Sequence, residues 1–275
     1  MSEESLIQEN HLQLTQIIES MGSLVVAFSG GIDSSLIAKV AHDSIGNRAI
    51  AVTATSPAYP LYEIEEAKKV ASAIGIRHIL IESNELDIAE FARNNTDRCY
   101  HCKMELFDKL KSIADELHID HIACGTTIDD LSDYRPGMEA AKRLGVRSPL
   151  VEAGLTKTMV REISKMLGLP NWDKPSFACL SSRFPYGTEI TGDRLSQVGM
   201  CETYLRQLGF KQFRVRYHGE VARIEVSVDE LKRFMEDSSL REKIVKKFKE
   251  FGFTYVTMDL EGYRTGSMNE VLIHK

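Results

Sequence analysis

One stretch near the amino terminus limits the fold more than any other, because an apolar run leads into small polar residues and then into a periodic apolar segment. Residues 24–28 have valine at their centre, which is typical of a buried parallel strand, and residues 36–41 continue at helical spacing. The turn between them reads Ser-Gly-Gly-Ile-Asp-Ser-Ser at residues 29–35. Glycine lets the backbone approach a ligand, and the N–H groups at a helix start attract anions. The sequence therefore predicts an anion-binding turn between a strand and a helix.

Two common phosphate motifs do not describe this turn, since it has neither the Gly-Lys spacing of a Walker A loop nor the dinucleotide fingerprint. It resembles instead the PP-loop of the ATP pyrophosphatases, which transfer AMP to an acyl or amide oxygen and release pyrophosphate. An ordinary structural turn is the alternative. The resemblance implies that Asp33 helps to place a metal ion. It also implies that Ala27 contacts ATP and that the phosphates are held by residues of the turn, namely Ser29, Gly30, Gly31, Ser34 and Ser35.

Composition limits the compartment and the partners. Residues 1–10 carry three Glu and no apolar stretch of signal-peptide length, and no run reaches the length of a membrane span, so we expect a cytoplasmic protein. The net charge of -6 disfavours long nucleic acid as a substrate, because backbone phosphates require a strongly basic surface. Five cysteines in such a chain favour thiol, metal or redox chemistry over structural disulfides.

Strands and helices alternate over the first part of the chain, which predicts an α/β fold with a parallel sheet. The resemblance to the PP-loop implies that this sheet is of the adenine nucleotide alpha hydrolase type. The predicted strands are residues 24–28, 49–54, 78–81 and 121–124, and between the last two strands we expect a short helix at 86–92 and a longer helix at about 103–117. Ligands of such sheets bind beyond the carboxyl ends of the strands. The turn at 29–35, the residues after Thr53 and the turn that begins at Gly125 should therefore converge on a nucleotide. Asp129, Asp130 and Arg135 are either solvated loop charges or a Mg²⁺ and phosphate site.

Three cysteines form a candidate metal site. Cys99 and Cys102 stand three residues apart at a predicted helix start, and Cys179 follows in a polar loop interrupted by proline. Three thiolates without a clear fourth suit a [4Fe-4S] cluster with one open iron, whereas Cys₃His zinc through His101 has a comparable ligand count. Cys124 and Cys201 lie in apolar segments, and we interpret them as packed thiols.

The alternation ends after residue 187, where two short strands at 214–217 and 222–226, several helices and a strand at 255–258 predict a smaller α+β domain. We place the domains at residues 1–185 and 186–275. Arg214 and Arg216 share one face of the first of these strands. With Arg223 and Glu225 on the next strand they form either an exposed ionic ladder or an arginine clamp on a phosphate, with Arg264 as a candidate third member.

Taken together, these motifs resemble the LarE family, the ATP-dependent sulfur transferases that mature the nickel-pincer nucleotide cofactor of lactate racemase. The resemblance covers nearly the whole chain. It rests on the motifs at residues 29–34, 133–137, 181–188 and 214–216 and on the glycine-rich tail around Arg264. Of these, Ser-Ser-Arg-Phe-Pro-Tyr-Gly-Thr at 181–188 is the most distinctive.

The resemblance implies a reaction and a set of roles. ATP with Mg²⁺ adenylates a carboxylate of pyridinium-3,5-biscarboxylic acid mononucleotide, sulfur displaces AMP, and the cycle repeats on the second carboxylate. Arg214, Arg216 and Arg264 would bind the substrate phosphate, and Glu202 and Glu225 would contact metal or substrate. A sulfide donor and a homo-oligomer built through the carboxyl-terminal domain are the expected partners. Thr53, Gly125 and Arg135 would complete the ATP site.

One departure separates this chain from part of that family. Some members surrender the sulfur of a single cysteine, which aligns with Ala178 here, next to Cys179. This chain is similar instead to a three-cysteine branch, in which Cys99, Cys102 and Cys179 carry a [4Fe-4S] cluster whose open iron holds an extra sulfide. That branch implies a reusable catalyst. The rival hypotheses are a cluster-dependent tRNA thiolase and a non-enzymatic nucleotide sensor.

Overall fold

The computed structural model describes residues 3–132, 135–175, 177–264, 266–267 and 270. The chain divides into two compact units. The first unit comprises Met1–Ser56, Leu61–Phe91 and Asp97–Ser176, and the second comprises Pro57–Pro60, Ala92–Thr96 and Phe177–Lys275.

The first unit contains a four-stranded parallel sheet, as the alternation of strands and helices predicts. Its strands are β1 (Leu24–Ala27), β2 (Ala49–Thr55), β3 (Arg77–Glu82) and β4 (His121–Ala123). The spatial order is β3-β2-β1-β4, with Val25 beside both Ile50 and Ile122. Because β1 has a neighbour on each side, the turn that follows it leaves from the interior of the sheet.

Helices cover both faces of this sheet. They are α1 (Glu3–Met21), α2 (Ile32–Ile45), α3 (Leu61–Ile74), α4 (Ala89–Ala92), α5 (Arg98–Glu116), α6 (Pro136–Arg143), α7 (Pro149–Glu152) and α8 (Lys157–Met166). Leu14 of α1, Leu36 of α2 and Ile163 of α8 pack with Val26 in one core cluster. Val25 faces the other way into a second cluster formed by α5 and α6. The consecutive residues Val25 and Val26 thus pack into two different cores on opposite faces of the sheet, which is why the strand is apolar throughout.

The region between β3 and β4 differs in detail from the sequence prediction. A single short helix at about 86–92 is wrong: a 3-10 turn at Glu85–Asp87 precedes α4. The helix expected from about residue 103 begins earlier, at Arg98, because the Asp97 carbonyl already accepts the Tyr100 N–H at 2.8 Å. Both cysteines of the Cys-x-x-Cys motif therefore lie in the opening turns of α5.

The second unit is built on a three-stranded mixed sheet with β6 in the middle. Its elements are α9 (Gly192–Gln207), β5 (Phe213–His218), β6 (Val221–Val226), α10 (Val228–Glu236), α11 (Ser238–Glu250) and β7 (Tyr255–Met258). β5 and β6 pair antiparallel, and β6 pairs with β7 in parallel. Gly219 supplies the positive φ of 64° that the hairpin turn needs. The predicted α+β character of this region is confirmed. None of the helices in the described ranges combines the length and apolarity needed to cross a membrane.

Candidate active site

The PP-loop at residues 29–35 is closed by its own hydrogen bonds. The Gly31 N–H donates to the Ser29 hydroxyl at 3.3 Å, and the Ser34 hydroxyl donates to the Gly31 carbonyl at 3.1 Å. The Ser29 N–H donates to the same Ser34 hydroxyl at 3.2 Å. Gly30 has a φ of 69°, which side chains disfavour. These contacts shape a turn whose remaining N–H groups, at the start of α2, can face an anion.

Asn171 ties this loop to a distant part of the first unit. Its side-chain amide donates to the Gly30 carbonyl and to the Ser35 hydroxyl, each at 3.0 Å, and only 7% of the residue is exposed. Sequence reasoning missed this residue, since a single Asn after Leu-Gly-Leu-Pro gives no local sign of its partner. Asn171 fixes both ends of the glycine turn.

The turn after β4 packs directly on the start of α2. A β-carbon built on Gly125 would lie 2.9 Å from the Ser34 nitrogen and 3.0 Å from the Asp33 β-carbon. Only glycine therefore permits this approach. The structure brings together the two turns that were expected to converge at the carboxyl ends of the strands.

A cluster of charged side chains lies around Asp33, and its centre, Asp130, is buried. Asp130 is 3% exposed, and its Oδ1 lies 2.8 Å from Lys157 Nζ and 3.0 Å from Arg135 Nη2. The alternative of a solvated loop charge is therefore wrong for Asp130. Burial, followed by the nearby Asp130 carboxylate, raises the pKa of Asp33 to about 6, while Lys157, Arg161 and Arg135 oppose the shift. Lys157 and Arg161 were not singled out from the sequence, although both belong to one helix, α8.

Asp33 Oδ1 is buried and accepts no hydrogen bond from the residues that the structure describes. A carboxylate oxygen held in this way, close to a second carboxylate, is a suitable ligand for a hard cation such as Mg²⁺. Asp33 and Asp130 are thus the carboxylates available to a metal ion here. Asp133 and Tyr134, part of the motif around Arg135, lie outside the described residues.

Thr53 lies at the same edge of the sheet, with its hydroxyl already engaged. Oγ1 donates to the Phe28 carbonyl at 2.6 Å and lies 2.7 Å from His78 Nε2. Because the threonine proton goes to Phe28, His78 donates from Nε2. Burial, then the charge of Lys68, lowers the pKa of His78, so this imidazole is neutral near pH 7. The pair supports the end of β1, and an ATP contact by Thr53 stays a prediction.

The cysteines are present as thiols. Cys99 is exposed and Cys102 half-buried, and their spacing places them on one face of α5. Cys179 belongs to the second unit and is half-buried at the start of a 3-10 turn, Leu180–Arg183. Cys124 and Cys201 are buried, which confirms that they pack in cores. Across the described ranges, no three His, Cys, Asp or Glu side chains are gathered closely enough to hold a metal ion.

Arg214 and Arg216 of the second unit are buried, so an exposed ionic ladder is wrong for them. Arg214 is 7% and Arg216 4% exposed. Nε and Nη2 of Arg216 contact the two carboxylate oxygens of Glu225 at 2.9 and 2.7 Å. Arg214 stands opposite Glu225 in the strand register, and Arg216 stands opposite Arg223. Arg214, Arg216 and Glu225 lie inside the unit, whereas Arg223 is about one-third exposed.

The other predicted contacts of the second unit are also paired. Arg264 is partly exposed and faces Asp259 at 3.6 Å and Glu261 at 2.9 Å. Glu202 is fully buried, with both oxygens on Arg183 at 2.7 and 2.8 Å. Arg183 was part of the most distinctive motif, yet its own role was not recognised from the sequence. Metal or substrate contacts by Glu202 and Glu225 stay predictions.

Comparison with known proteins places this site in a family. A model of the asparagine synthase family matches residues 17–128. An uncharacterized protein, slr1717, of Synechocystis sp. is 49% identical over 259 residues, which cover 94% of this chain and 96% of the relative. The pyridinium-3,5-bisthiocarboxylic acid mononucleotide synthase of Lactiplantibacillus plantarum is 38% identical over 263 residues, 94% of this chain and 93% of the relative. The chain belongs to the LarE family of PP-loop proteins.

A more distant similarity covers about half of the chain. The tRNA-specific 2-thiouridylase MnmA of Rickettsia typhi is 28% identical over 192 residues, which cover 56% of this chain and 53% of the relative. LarE membership thus confirms the family expected from the motifs. The three-cysteine branch within the LarE family stays a prediction.

Proposed function

We propose that this LarE family chain is an ATP-dependent sulfur transferase that converts the carboxylates of pyridinium-3,5-biscarboxylic acid mononucleotide to thiocarboxylates in nickel-pincer nucleotide biosynthesis. One observation carries the proposal: over nearly the full length of both chains, the protein is similar to a relative named as the synthase of the bisthiocarboxylic acid product. The self-bonded PP-loop supports the use of ATP. Adenylation would turn a carboxylate oxygen into part of a leaving group and release pyrophosphate.

The first unit would bind ATP and Mg²⁺. The N–H groups of the PP-loop would receive the phosphates and stabilise pyrophosphate as it departs. Asp33 and Asp130 would hold Mg²⁺, which supplies positive charge between the phosphate oxygens. Lys157 and Arg135, which contact Asp130, would then be close enough to neutralise further phosphate charge.

The second unit would recognise the phosphate of the substrate. Arg214 and Arg216 project from one face of β5, and Arg264 is the third candidate. Arginine suits this role because its planar fork binds phosphate through two parallel hydrogen bonds. The buried Glu225 fixes the orientation of Arg216, as shown by its two contacts.

Cys99, Cys102 and Cys179 would hold a [4Fe-4S] cluster. Three thiols fit such a cluster by donor chemistry, and Cys99 and Cys102 lie one helical turn apart, near the start of α5. When bound, the cluster would supply sulfide at an iron that no protein ligand occupies. A separate sulfide donor, a cytoplasmic location and a homo-oligomer complete the proposal.

Anaerobic turnover tests this function. The reconstituted protein, ATP, Mg²⁺, sulfide and the pyridinium biscarboxylate are mixed, and pyrophosphate, product mass and protein mass are followed. We expect substrate-dependent pyrophosphate, a thiocarboxylate product and an unchanged protein mass after several turnovers. Loss of one sulfur from the protein would favour a sacrificial donor, and pyrophosphate release independent of substrate would contradict the proposal.

The cluster ligands have their own test. Cys179→Ala and Cys102→Ser should lower bound iron and sulfide after anaerobic reconstitution, whereas the matched control Cys124→Ala should retain them. Iron and sulfide at the level of the unchanged protein in Cys179→Ala would remove Cys179 from the site.

A tRNA thiolase is the second candidate, favoured by the similarity to a tRNA-specific 2-thiouridylase. The net charge of -6 argues against it. Tight binding of labelled tRNA together with no conversion of the pyridinium mononucleotide would reverse the order of the two candidates.

A further inference from the structure

Arg183 is a fully buried arginine with a complete set of partners in the second unit. Its Nε and Nη2 donate to the two oxygens of Glu202 at 2.7 and 2.8 Å, and neither side chain is exposed. Glu202 also accepts the Val215 N–H at 2.9 Å, which ties the pair to β5. A buried charge is costly unless it is paired and hydrogen-bonded, so this arrangement is rigidly specified.

The remaining guanidinium nitrogen of Arg183 holds the backbone around Cys179. Nη1 lies 2.8 Å from the Ala178 carbonyl and 3.1 Å from the Cys179 carbonyl, and it donates to the Ser182 hydroxyl at 2.7 Å. The Ser182 hydroxyl and N–H donate to the same Cys179 carbonyl at 2.9 and 3.0 Å. Three donors therefore converge on one peptide oxygen, that of Cys179.

Phe177 extends this arrangement to the arginines of β5. Its ring centre lies 5.1 Å from the Arg183 guanidinium carbon and 5.7 Å from that of Arg214, distances typical of cation–π contacts. Arg216 Nη1 in turn donates to the Ser182 carbonyl at 3.0 Å. The loop that carries Cys179 is thus packed with the two arginines that would bind the substrate phosphate.

We propose that Arg183 is the positioning residue for Cys179: together with Glu202 it fixes the backbone of the cysteine loop, and Phe177 and Ser182 join that loop to Arg214 and Arg216. This inference rests on the proposed function, in which Cys179 takes part in sulfur delivery. The sulfur and the phosphate clamp then have a fixed spacing before any substrate arrives. Such preorganisation matters because small displacements of reacting atoms cost large factors in rate.

Arg183→Lys separates charge from geometry. Lysine keeps the positive charge, but its single nitrogen cannot reach Glu202 and the loop carbonyls with the fork of an arginine. Arg233→Lys is the matched control, since Arg233 lies over the Phe210 ring at 3.9 Å and donates to the Leu208 carbonyl at 2.8 Å in the same unit. Cys201, fully buried and next to Glu202 on α9, reports any general loosening of the unit.

The first readout is alkylation of the reduced, cluster-free protein by iodoacetamide, followed for each cysteine by peptide mass spectrometry. In Arg183→Lys we expect Cys179 to react about fivefold faster or more while Cys201 stays protected, because alkylation follows local opening. Arg233→Lys should leave the Cys179 rate within about twofold. A Cys179 rate in Arg183→Lys that matches the unchanged protein would overturn the inference.

If Cys201 is also alkylated faster in Arg183→Lys, the Ser182→Ala variant distinguishes a local change at Cys179 from general loosening of the unit. This variant removes the hydroxyl that links Arg183 to the Cys179 carbonyl and leaves the buried ion pair intact. Faster alkylation of Cys179 with a protected Cys201 supports the inference, and an unchanged Cys179 rate sinks it.

The second readout is the ratio of pyrophosphate to thiocarboxylate in anaerobic turnover. Arg183→Lys should still adenylate its substrate, with a KM near that of the unchanged protein, but should waste the adenylate to water, raising the ratio about tenfold or more. A purely structural defect would lower both products together and would contradict the inference. If the unchanged protein makes no thiocarboxylate, the proposed function fails, and the alkylation result still judges the role of Arg183.

Discussion

Gly30 and Ala67 meet backbone to backbone where the PP-loop crosses α3. A β-carbon on Gly30 would lie 2.7 Å from the Ala67 α-carbon and 2.8 Å from its β-carbon. Real β-carbons do not approach other atoms so closely, and α3 has no flexible group to withdraw at this point. The close packing of α3 therefore dictates both the residue and the left-handed backbone at the second position of the loop.

Gly30→Ala should unfold or displace the loop, whereas Gly31→Ala should not. At Gly31 an added β-carbon meets only the movable Ser29 hydroxyl, at 3.2 Å, and φ is an ordinary -77°. We expect Gly30→Ala to cost about 2 kcal/mol or more and to abolish the rise in Tm on adding Mg-ATP. Gly31→Ala should stay within about 1 kcal/mol of the unchanged protein. Equal losses of unfolding free energy in the two variants would contradict this account.

Asp33→Asn should stabilise the metal-free protein while weakening Mg-ATP binding. Folding raises the pKa of Asp33 from 3.8 to about 6. Between these two pH values the Asp33 carboxyl keeps its proton in the folded protein, whereas it has lost that proton in the unfolded chain. The stability due to this proton is present below the unfolded pKa and is lost as pH rises through about 6. At about pH 8 the ionised group costs roughly 3 kcal/mol, and Asn removes that cost.

Denaturant titrations at two pH values check this prediction. The gain in unfolding free energy from Asp33→Asn should shrink when the pH falls from about 8 to about 5. Asp43→Asn is the control on the same helix, since Asp43 pairs with Lys39 at the surface. A gain that does not change with pH would show that ionisation of Asp33 is not its source.

Asn171→Ala should weaken the PP-loop although Asn171 lies outside the loop in the sequence. The Gly30 carbonyl and the Ser35 hydroxyl would each lose a donor in a buried place, a cost of about 1–3 kcal/mol. We also expect weaker binding of ATP, measured by calorimetry. Asn47→Ala, on an exposed turn of the same unit, is the control. Unchanged stability and ATP affinity in the Asn171→Ala protein would show that Asn171 does not shape the loop.

Glu225→Gln should destabilise the protein far more than Arg223→Gln. The first change leaves the buried Arg216 guanidinium without its carboxylate, for which about 3–5 kcal/mol is expected. Arg223 is about one-third exposed and contacts Glu225 at 3.1 Å, so its loss should cost about 1 kcal/mol or less. Chemical denaturation followed by circular dichroism gives both values. The reverse order would mean that the buried pair does not support the sheet of the second unit.

Much of the fold was predictable because its signals are local. The β-branched runs at β1 and β2 and the helical spacing of α2 and α3 each report their own burial, and the strand at Tyr255–Met258 has the predicted limits. The start of α5 was harder to predict, because Arg98, Cys99 and Tyr100 have no strong helix signal. The hydrogen bond to Asp97 determines where this helix begins. Local sequence patterns therefore predict which helices and strands form more accurately than they predict where each one begins and ends.

The candidate site was predictable only where its residues lie within one turn. The PP-loop is a contiguous motif, but Asn171 reaches Gly30 across 141 positions, a relation that a single sequence does not display. The burial of Arg214 and Arg216 was equally hidden, because charged residues on a short strand are usually exposed. Their exposed fractions in the folded unit, 7% and 4%, show that these charges are enclosed.

The link between Gly30 and Asn171 also sets an order of events during synthesis. The glycine turn leaves the ribosome long before Asn171 is translated, so a nascent chain has the strand and helix that flank the turn but not the amide that closes it. We expect chains that stop short of residue 171 to bind ATP poorly even when their sheet has formed. We therefore expect nucleotide to stabilise the folding chain only once the last segment of the first unit has been made.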